Sequence, residues 1–357
     1  MPMIERLRRF WQRRSRPRFG LALAGGGVIG GMYEVGVLAA LEEGLLEPSG
    51  AEFEVYVGCS AGAVVASVVA NGVSARDLYQ ILELDLPDPL NFRRTSVYSS
   101  NSFRRAFVQF ARFVWAVGKN APTGFRSSIP DMLARAERDF PAGFFSLAQL
   151  EQYMRTTFEA RGMSNSFAAL RRTLLIPAID LDRAERVVFG QGEFADVPIS
   201  HAIAASSAIP GFFEPFMIDG RDYIDGGVGY SGHADLAADA GADVVVVINP
   251  LVPALNGEGD RSLRDRGLYF ILEQANRIYS QNLLRGNLAE LEARHPHAAF
   301  FLIQPPPRGT PLFGPSMGFD ASRVALQYGY TSAKGWLAAQ GGDLMRRCAL
   351  RAVPTTA

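Results

Sequence analysis

The pattern of apolar and polar positions divides most of the chain into short apolar runs separated by segments of helical periodicity. Segments 33–43 and 61–71 follow the first two runs and carry apolar residues at helical spacing. Only a few polar residues separate the runs at 173–181 and 185–190, which indicates a strand pair. The alternation predicts the α/β class, with a parallel sheet covered by helices. The predicted strands are residues 19–24, 53–58, 173–181, 185–190, 242–250 and 298–305.

Residues 85–165 interrupt this alternation. They are rich in arginine, serine, proline and aromatic residues, carry no strand signal, and predict a helical insertion or cap. Inside it, an apolar stripe at spacings of three and four predicts a helix that either packs in the cap or forms a lid. The stripe comprises Phe103, Phe107, Phe110, Phe113, Val114 and Val117.

The N-terminal tail concentrates positive charge. Residues 1–18 contain seven arginines and one acidic residue, Glu5, and place Ile4, Leu7 and Trp11 at helical spacing. The tail is either a solvated segment or a short amphipathic helix that binds an anionic membrane surface. It lacks the apolar stretch of a secretory signal. We therefore expect a cytoplasmic protein which, if this helix forms, attaches peripherally to the membrane.

Composition narrows the classes of function. The chain has 357 residues with 48% hydrophobic content, and it balances 36 Lys and Arg against 36 Asp and Glu. That balance argues against a nucleic-acid partner. Cys59 and Cys348 are too few for a disulfide framework and form no metal-type cluster with histidine, so no metal site is predicted. We expect one α/β domain over residues 19–350 and a C-terminal tail over 351–357.

The residues after the first predicted strand read GGGVIGG and allow two interpretations. Gly25-x-Gly27-x-x-Gly30 fits the dinucleotide-binding fingerprint, in which a helix N-terminus faces a pyrophosphate. That fold requires an acidic residue at the end of the second strand, whereas Glu47 lies before that strand. A dinucleotide-binding protein is therefore an alternative that rests on the glycines alone.

The second predicted strand ends in Gly58-Cys59-Ser60-Ala61-Gly62, a G-x-S-x-G sequence between a strand and a helix. This context is typical of a nucleophile elbow, whose sharp turn leaves little room for side chains at Gly58 and Gly62. The turn is expected to expose Ser60 to solvent at the positive end of the following helix. We therefore predict Ser60 as a catalytic nucleophile.

A serine nucleophile also needs donors that stabilise the oxyanion. The backbone N–H groups of Gly25, Gly26, Gly27 and Val28 are candidates, because the glycines allow the backbone to approach an acyl carbonyl closely. On this interpretation the glycine loop serves an acyl group rather than a phosphate.

The candidate bases are one aspartate and one histidine. Asp225 begins an Asp-Gly-Gly sequence with Gly226 and Gly227, which is either a β-turn or a carboxylate placed to accept the Ser60 proton. His233 follows this motif and is the histidine that could act as a base. The remaining histidines, expected at the surface or in loops, are His201, His295 and His297.

Taken together, the glycine loop, the G-x-S-x-G sequence and the downstream Asp-Gly-Gly sequence resemble the patatin-like phospholipases, over about residues 19–75 and 173–250. The resemblance implies a three-layer α/β/α sandwich with a mostly parallel central sheet. It implies hydrolysis of acyl esters of phospholipids or other lipids, without a cofactor. It also implies a Ser60–Asp225 catalytic dyad and an oxyanion hole in the loop from Gly25 to Gly30.

Two positions depart from the family's usual pattern. The family loop usually has Arg or Lys before its last glycine, where this chain has Ile29, so a cation at this loop and a preference for anionic phospholipids are not implied. The sequence after Asp-Gly-Gly reads YSGHADLA in place of the family's Asn and Pro. His233 is therefore either a local replacement or a third catalytic group. The alternative functions are a catalytically idle lipid-binding relative and the dinucleotide-binding protein described above.

Overall fold

The computed structural model describes residues 17–47, 52–93, 142–257, 261–314, 317–319 and 321–352, together with the single residues 108, 111 and 115. The predicted helix of the N-terminal tail and the apolar stripe of the insertion lie outside these residues. No helix within the described ranges is both long and apolar enough to cross a membrane.

An open sheet of eight strands forms the centre of the described chain. The strands are β1 (Phe19–Leu23), β2 (Phe53–Gly58), β3 (Thr173–Asp180), β4 (Glu185–Phe189), β5 (Phe216–Ile218), β6 (Arg221–Asp225), β7 (Val244–Ile248) and β8 (Ala299–Ile303). Their order is β5-β6-β3-β2-β1-β7-β8, and β4 pairs with β3. The neighbouring strands β3, β2, β1, β7 and β8 pair in parallel, whereas β4, β5 and β6 pair in antiparallel fashion. The sheet is therefore mostly parallel, as predicted.

Helices cover both faces of this sheet. Alternate strand residues point to opposite faces, so Leu21 and Leu23 join one apolar core while Ala22 joins the other. The helices are α1 (Gly27–Leu41), α2 (Ala61–Ala70), α3 (Ala75–Glu83), α4 (Ala148–Ala160), α5 (Ile199–Ser206), α6 (Ala234–Asp239), α7 (Leu268–Arg294), α8 (Ser322–Gln340) and α9 (Gly342–Ala352). The first core is covered mainly by α1, α2 and α8, and the second by α6 and α7. The three-layer α/β/α sandwich is confirmed.

Helices α1 and α8 approach each other closely through two glycines. A Cβ at Gly36 would collide with the backbone of Leu326, and a Cβ at Gly329 would collide with the backbone of Tyr33. The missing side chains let the two helix backbones pack in direct contact. This contact fixes α1, the helix that follows the glycine loop, against the rest of its layer.

All six predicted strands form, but the prediction for α1 was wrong at its start. The helix begins at Gly27 rather than near residue 33. Glycines and β-branched residues have low helix propensity, which hid the first turns. Every residue of α1 is buried, so tertiary packing outweighs that low propensity. The insertion contributes α4 to the described chain, and its limits stay a prediction.

Candidate active site

The candidate nucleophile lies on the turn between β2 and α2. The strand ends at Gly58 and the helix begins at Ala61. Ser60 has φ 55° and ψ −128°, a backbone conformation that residues other than glycine rarely adopt. A Cβ at Gly58 would collide with the backbone of Gly62, and a Cβ at Gly62 would collide with the carbonyl of Leu23, so both positions of the turn require glycine. This geometry is that of a nucleophile elbow.

The register of β3 brings Asp225 to this turn. Strand β2 runs parallel to β3 with Val57 opposite Leu175, so the chain beyond β2 passes the second half of β3. Strand β6 runs antiparallel to β3 and ends with Asp225 opposite Ala178. Cys59 and Asp225 are 166 residues apart in sequence, yet the thiol sulfur lies 3.7 Å from the carboxyl Oδ1. The turn that carries Ser60 therefore meets Asp225 across β3.

The Asp225 carboxyl is buried and hydrogen-bonded. Its Oδ1 accepts the N–H of Gly227 at 2.7 Å, and the side chains of Ser60 and Cys59 are its other hydrogen-bonding neighbours. Burial raises the pKa of the Asp225 carboxyl above its usual value, and these hydrogen bonds oppose the rise. A carboxylate with a raised pKa is a stronger proton acceptor than a solvated one, which suits a general base.

Two further contacts hold the turn and were not predicted from the sequence. The Ser60 N–H donates to Ser206 Oγ at 2.9 Å, and that hydroxyl donates to the Pro177 carbonyl at 2.6 Å. A Cβ at Gly226 would collide with the same carbonyl, so glycine there lets β6 end close to β3. Ser206 ends an alanine-rich helix without a motif around it. Its partners lie far away in sequence, so only its burial in that helix could have singled it out.

The glycine loop lies directly against this turn. Gly25, Gly26 and Gly27 have φ values of 79°, 109° and 68°, a run that side chains would strain. A Cβ at Gly25 would collide with the carbonyl of Cys59. Within the described chain, no hydrogen-bond acceptor is found for the N–H groups of Gly26, Gly27 and Val28. These three donors at the start of α1 can stabilise negative charge beside Ser60.

The N–H groups of the other two predicted oxyanion donors already have acceptors in the structure, so we do not include them in the proposed oxyanion hole. The Gly25 N–H donates to Oε1 of Glu34 at 2.7 Å. The Gly30 N–H donates to the Gly26 carbonyl at 3.1 Å, because α1 begins before it and its N–H joins the helical ladder. The sequence prediction also missed Glu34, which follows the loop by two helical turns and carried no motif.

Ser60 is not exposed to solvent, contrary to the sequence prediction. It is 6% exposed and lines an apolar cavity between α1, α2, α3 and α4. The wall supplied by α4 belongs to the predicted insertion, whose position over the site could not be read from periodicity. The cavity can hold an apolar chain next to the nucleophile. Lining side chains from these helices include Met32, Val65, Leu78, Leu82, Leu150 and Met154.

His233 is buried in a different cluster. Its Nδ1 lies 3.4 Å from Arg186, which also pairs with Asp235, and its ring stacks on Tyr230. Burial, followed by the Arg186 charge, lowers the pKa of His233 to about 4, although the Asp235 carboxylate opposes this. The cluster holds the loop that follows the candidate base. The other histidines are half-exposed or exposed, as predicted: His201, His295 and His297.

Two further features bear on what the site could bind, namely possible metal ligands and the residue at position 29 of the glycine loop. In the part of the chain that the structure describes, no three His, Cys, Asp or Glu side chains gather into a possible metal site. Ile29 is 4% exposed in the first turn of α1. It occupies the position where the family that the sequence resembles usually has Arg or Lys.

Two solved structures illustrate how remote the similar folds are. VipD from Legionella pneumophila is 15% identical, with 90% of this chain and 67% of that chain covered and a TM-score of 0.40. The type III effector protein ExoU is 15% identical, with 95% of this chain and 54% of that chain covered and a TM-score of 0.38. The chain thus spans little more than half the length of ExoU.

A family comparison gives a closer assignment than either structure. The model of the patatin-like phospholipases matches residues 21–238, which include the glycine loop, the elbow and the Asp-Gly-Gly sequence. This range is more than half of the 357 residues. The sequence resemblance and the site geometry point to the same residues, and the chain belongs to the patatin-like phospholipase family.

Proposed function

We propose that the protein is a serine acyl hydrolase that cleaves fatty-acyl esters of lipids through a Ser60–Asp225 dyad. Membership of the patatin-like phospholipase family supports a lipid hydrolase. The observation that carries the finer proposal is the strained turn of Ser60 beside the buried Asp225 carboxyl, with an apolar cavity next to both. A dinucleotide-binding protein would have no use for an activated serine in this place.

The first half of the reaction forms an acyl-enzyme. Ionised Asp225 accepts the hydroxyl proton of Ser60 while Oγ attacks the acyl carbonyl carbon. The N–H groups of Gly26 and Gly27, with Val28 as a further candidate, stabilise the tetrahedral oxyanion. As the intermediate collapses, the ester C–O bond breaks and Asp225 returns the proton to the leaving alcohol.

The second half releases the fatty acid. Water gives a proton to Asp225 and its oxygen attacks the acyl-enzyme, and the oxyanion is held by the same N–H groups. Ser60 then leaves as the alcohol and takes the proton back from Asp225. Every proton is carried by one carboxyl, so the proposed cycle requires neither histidine nor a metal or cofactor.

The apolar cavity defines the proposed substrate class. A fatty-acyl chain in contact with the side chains of α1 to α4 places its ester carbonyl beside Ser60. The polar head group of a lipid makes no favourable contact with these apolar side chains. We therefore expect burial of the acyl chain to supply most of the binding free energy. Lipid substrate and the basic N-terminal residues together support the proposal of a cytoplasmic enzyme with peripheral attachment to anionic membranes.

Covalent labelling of the nucleophile tests this proposal. A fluorophosphonate probe should label the wild-type protein and fail to label Ser60→Ala, and only the former should hydrolyse a lipid extract read by mass spectrometry. Ser67→Ala is a matched control, because Ser67 lies buried on α2 with its hydroxyl donated to the Val64 carbonyl. Wild-type protein that binds lipid but is not labelled would instead be the catalytically idle relative.

A further inference from the structure

Glu34 is a buried carboxyl that the proposed reaction does not use. It lies on α1 and is 0% exposed. Its Oε1 accepts the N–H of Gly25 at 2.7 Å, and its Oε2 has no hydrogen-bond partner within the described chain. Gly25 directly precedes Gly26 and Gly27, whose N–H groups are the proposed oxyanion donors. The Glu34 carboxyl therefore fixes the backbone of the glycine loop at the residue before these donors.

The surroundings of Glu34 favour its neutral form. Burial raises the pKa of this carboxyl well above its usual value, and the Gly25 hydrogen bond only partly opposes the rise. The titratable groups that interact with it are Tyr33 on the same helix and the thiol of Cys59, neither of them a cation. Described residues of α2, α3 and α8, which pack against α1, supply no charge that shifts it.

We propose that Glu34 is a positioning residue whose neutral carboxyl holds Gly25 and thereby aims the N–H groups of Gly26 and Gly27 at the oxyanion. This inference rests on the proposed function. A neutral acid offers the carbonyl oxygen that the loop needs, and it adds no negative charge. An ionised carboxylate at the same place would oppose the negative charge of the tetrahedral intermediate and slow its formation.

Two substitutions separate the hydrogen bond from the charge. Glu34→Gln keeps an acceptor for Gly25 and cannot ionise, whereas Glu34→Leu keeps the volume and removes the acceptor. On a soluble p-nitrophenyl ester near neutrality, we expect Glu34→Gln to stay within about threefold of wild type. Glu34→Leu should lower kcat by about ten- to hundredfold with little change in KM, because a misplaced loop weakens transition-state stabilisation.

The pH profile is the readout that a purely structural role would not move. Wild-type kcat should decline on the alkaline side as Glu34 ionises, and Glu34→Gln should lack this decline. An active wild type with the same alkaline limb as Glu34→Gln, or a Glu34→Leu protein with wild-type kcat, would overturn the proposal. The proposed function fails on a different result, which is full activity of Ser60→Ala.

Stability gives a readout that does not depend on activity. Because the folded pKa lies above the ordinary value of 4.5, wild-type stability should fall as pH rises from there towards the folded value. The melting temperature of Glu34→Gln should not show this part of the fall. If Glu34→Leu does not fold, this comparison and the Glu34→Gln rate profile decide the question, and identical pH dependences of wild type and Glu34→Gln refute a neutral Glu34.

Discussion

Ser60 carries a backbone conformation that its side chain disfavours, and the surrounding contacts impose it. Its N–H donates to Ser206 Oγ, and the glycine loop and the start of α2 pack directly against the turn. Strained backbone of this kind costs about 1–3 kcal/mol and is concentrated at functional sites. The turn therefore lowers the stability of the fold while it holds Ser60 beside Asp225, the carboxyl that we propose as its base.

This strain predicts a difference between two inactive variants. Ser60→Gly should be more stable than Ser60→Ala by up to about 2 kcal/mol, because glycine accepts the positive φ that alanine does not. Both variants should lack hydrolysis. Urea unfolding measures the difference, and equal midpoints for the two variants would show that the turn is not strained.

The roles of Asp225 and His233 predict unequal kinetic effects. Asp225→Asn should lower kcat by about three orders of magnitude or more, because the amide cannot accept the Ser60 proton. His233→Ala should lower it by at most about tenfold, because its contacts with Arg186 and Tyr230 only hold the following loop. Steady-state kinetics on a soluble ester checks both. A loss on His233→Ala as large as that on Ser60→Ala would indicate a catalytic triad.

The raised pKa of Asp225 also predicts an acidic limb in the rate profile. The base acts when ionised, so kcat/KM should rise with pH through a value above 3.8, the usual value for aspartate. The expected limb is present in wild type and in Glu34→Gln alike, which separates it from the alkaline decline. A flat profile across the acidic range would exclude a carboxylate base.

At the scale of elements, α1, the helix that begins in the glycine loop, packs closely against α8. Gly329→Ala should destabilise the protein by about 2–4 kcal/mol, because its methyl group would meet the backbone of Tyr33 and separate the helices. Gly335→Ala is a matched control on the same helix. A Cβ at Gly335 would meet no atom, so Gly335→Ala should raise the free energy of unfolding by as much as about 1 kcal/mol through its higher helix propensity. Thermal unfolding of both variants checks the prediction, and equal melting temperatures would contradict it.

The antiparallel strand β6 is the element that completes the site. It ends where β3 has already passed the end of β2, so its last residue reaches the Ser60 turn. Apolar periodicity predicted β3 and its partner β4, because both strands carry buried runs. It did not predict β5 and β6, since β5 has only three residues and β6 begins with the polar, half-buried residues Arg221 and Asp222.

At the scale of the whole molecule, the described α/β/α sandwich contains the complete proposed catalytic machinery, whereas residues 2–16, which carry most of the N-terminal arginines, are not among the described residues. We therefore predict that deleting residues 2–16 weakens binding to anionic liposomes and removes its salt dependence. Each well-placed arginine contributes about 1 kcal/mol to such binding. Hydrolysis of a soluble ester should be unchanged. Co-sedimentation with liposomes measures the binding. Equal binding by the full-length and truncated proteins would indicate that the tail is only a solvated segment.

The sequence by itself determined the local parts of this protein. Apolar runs predicted six strands, because burial on both faces of a parallel sheet demands such runs. The elbow and the glycine loop were also readable, since tight turns and positive φ values restrict which residues can occupy Gly58 and Gly27. Each of these features depends on a residue and its close neighbours along the chain.

Tertiary structure alone decided how these parts meet. The approach of Asp225 to Ser60 follows from the register of two strands on β3, and the burial of Ser60 follows from where α4 lies. Which N–H groups stay free in the loop depended on Glu34, whose role as an acceptor left no local pattern. Such contacts join residues that are distant in sequence or separated by helical turns. Their energies depend on distances and burial, and neither is encoded in the spacing of residue types.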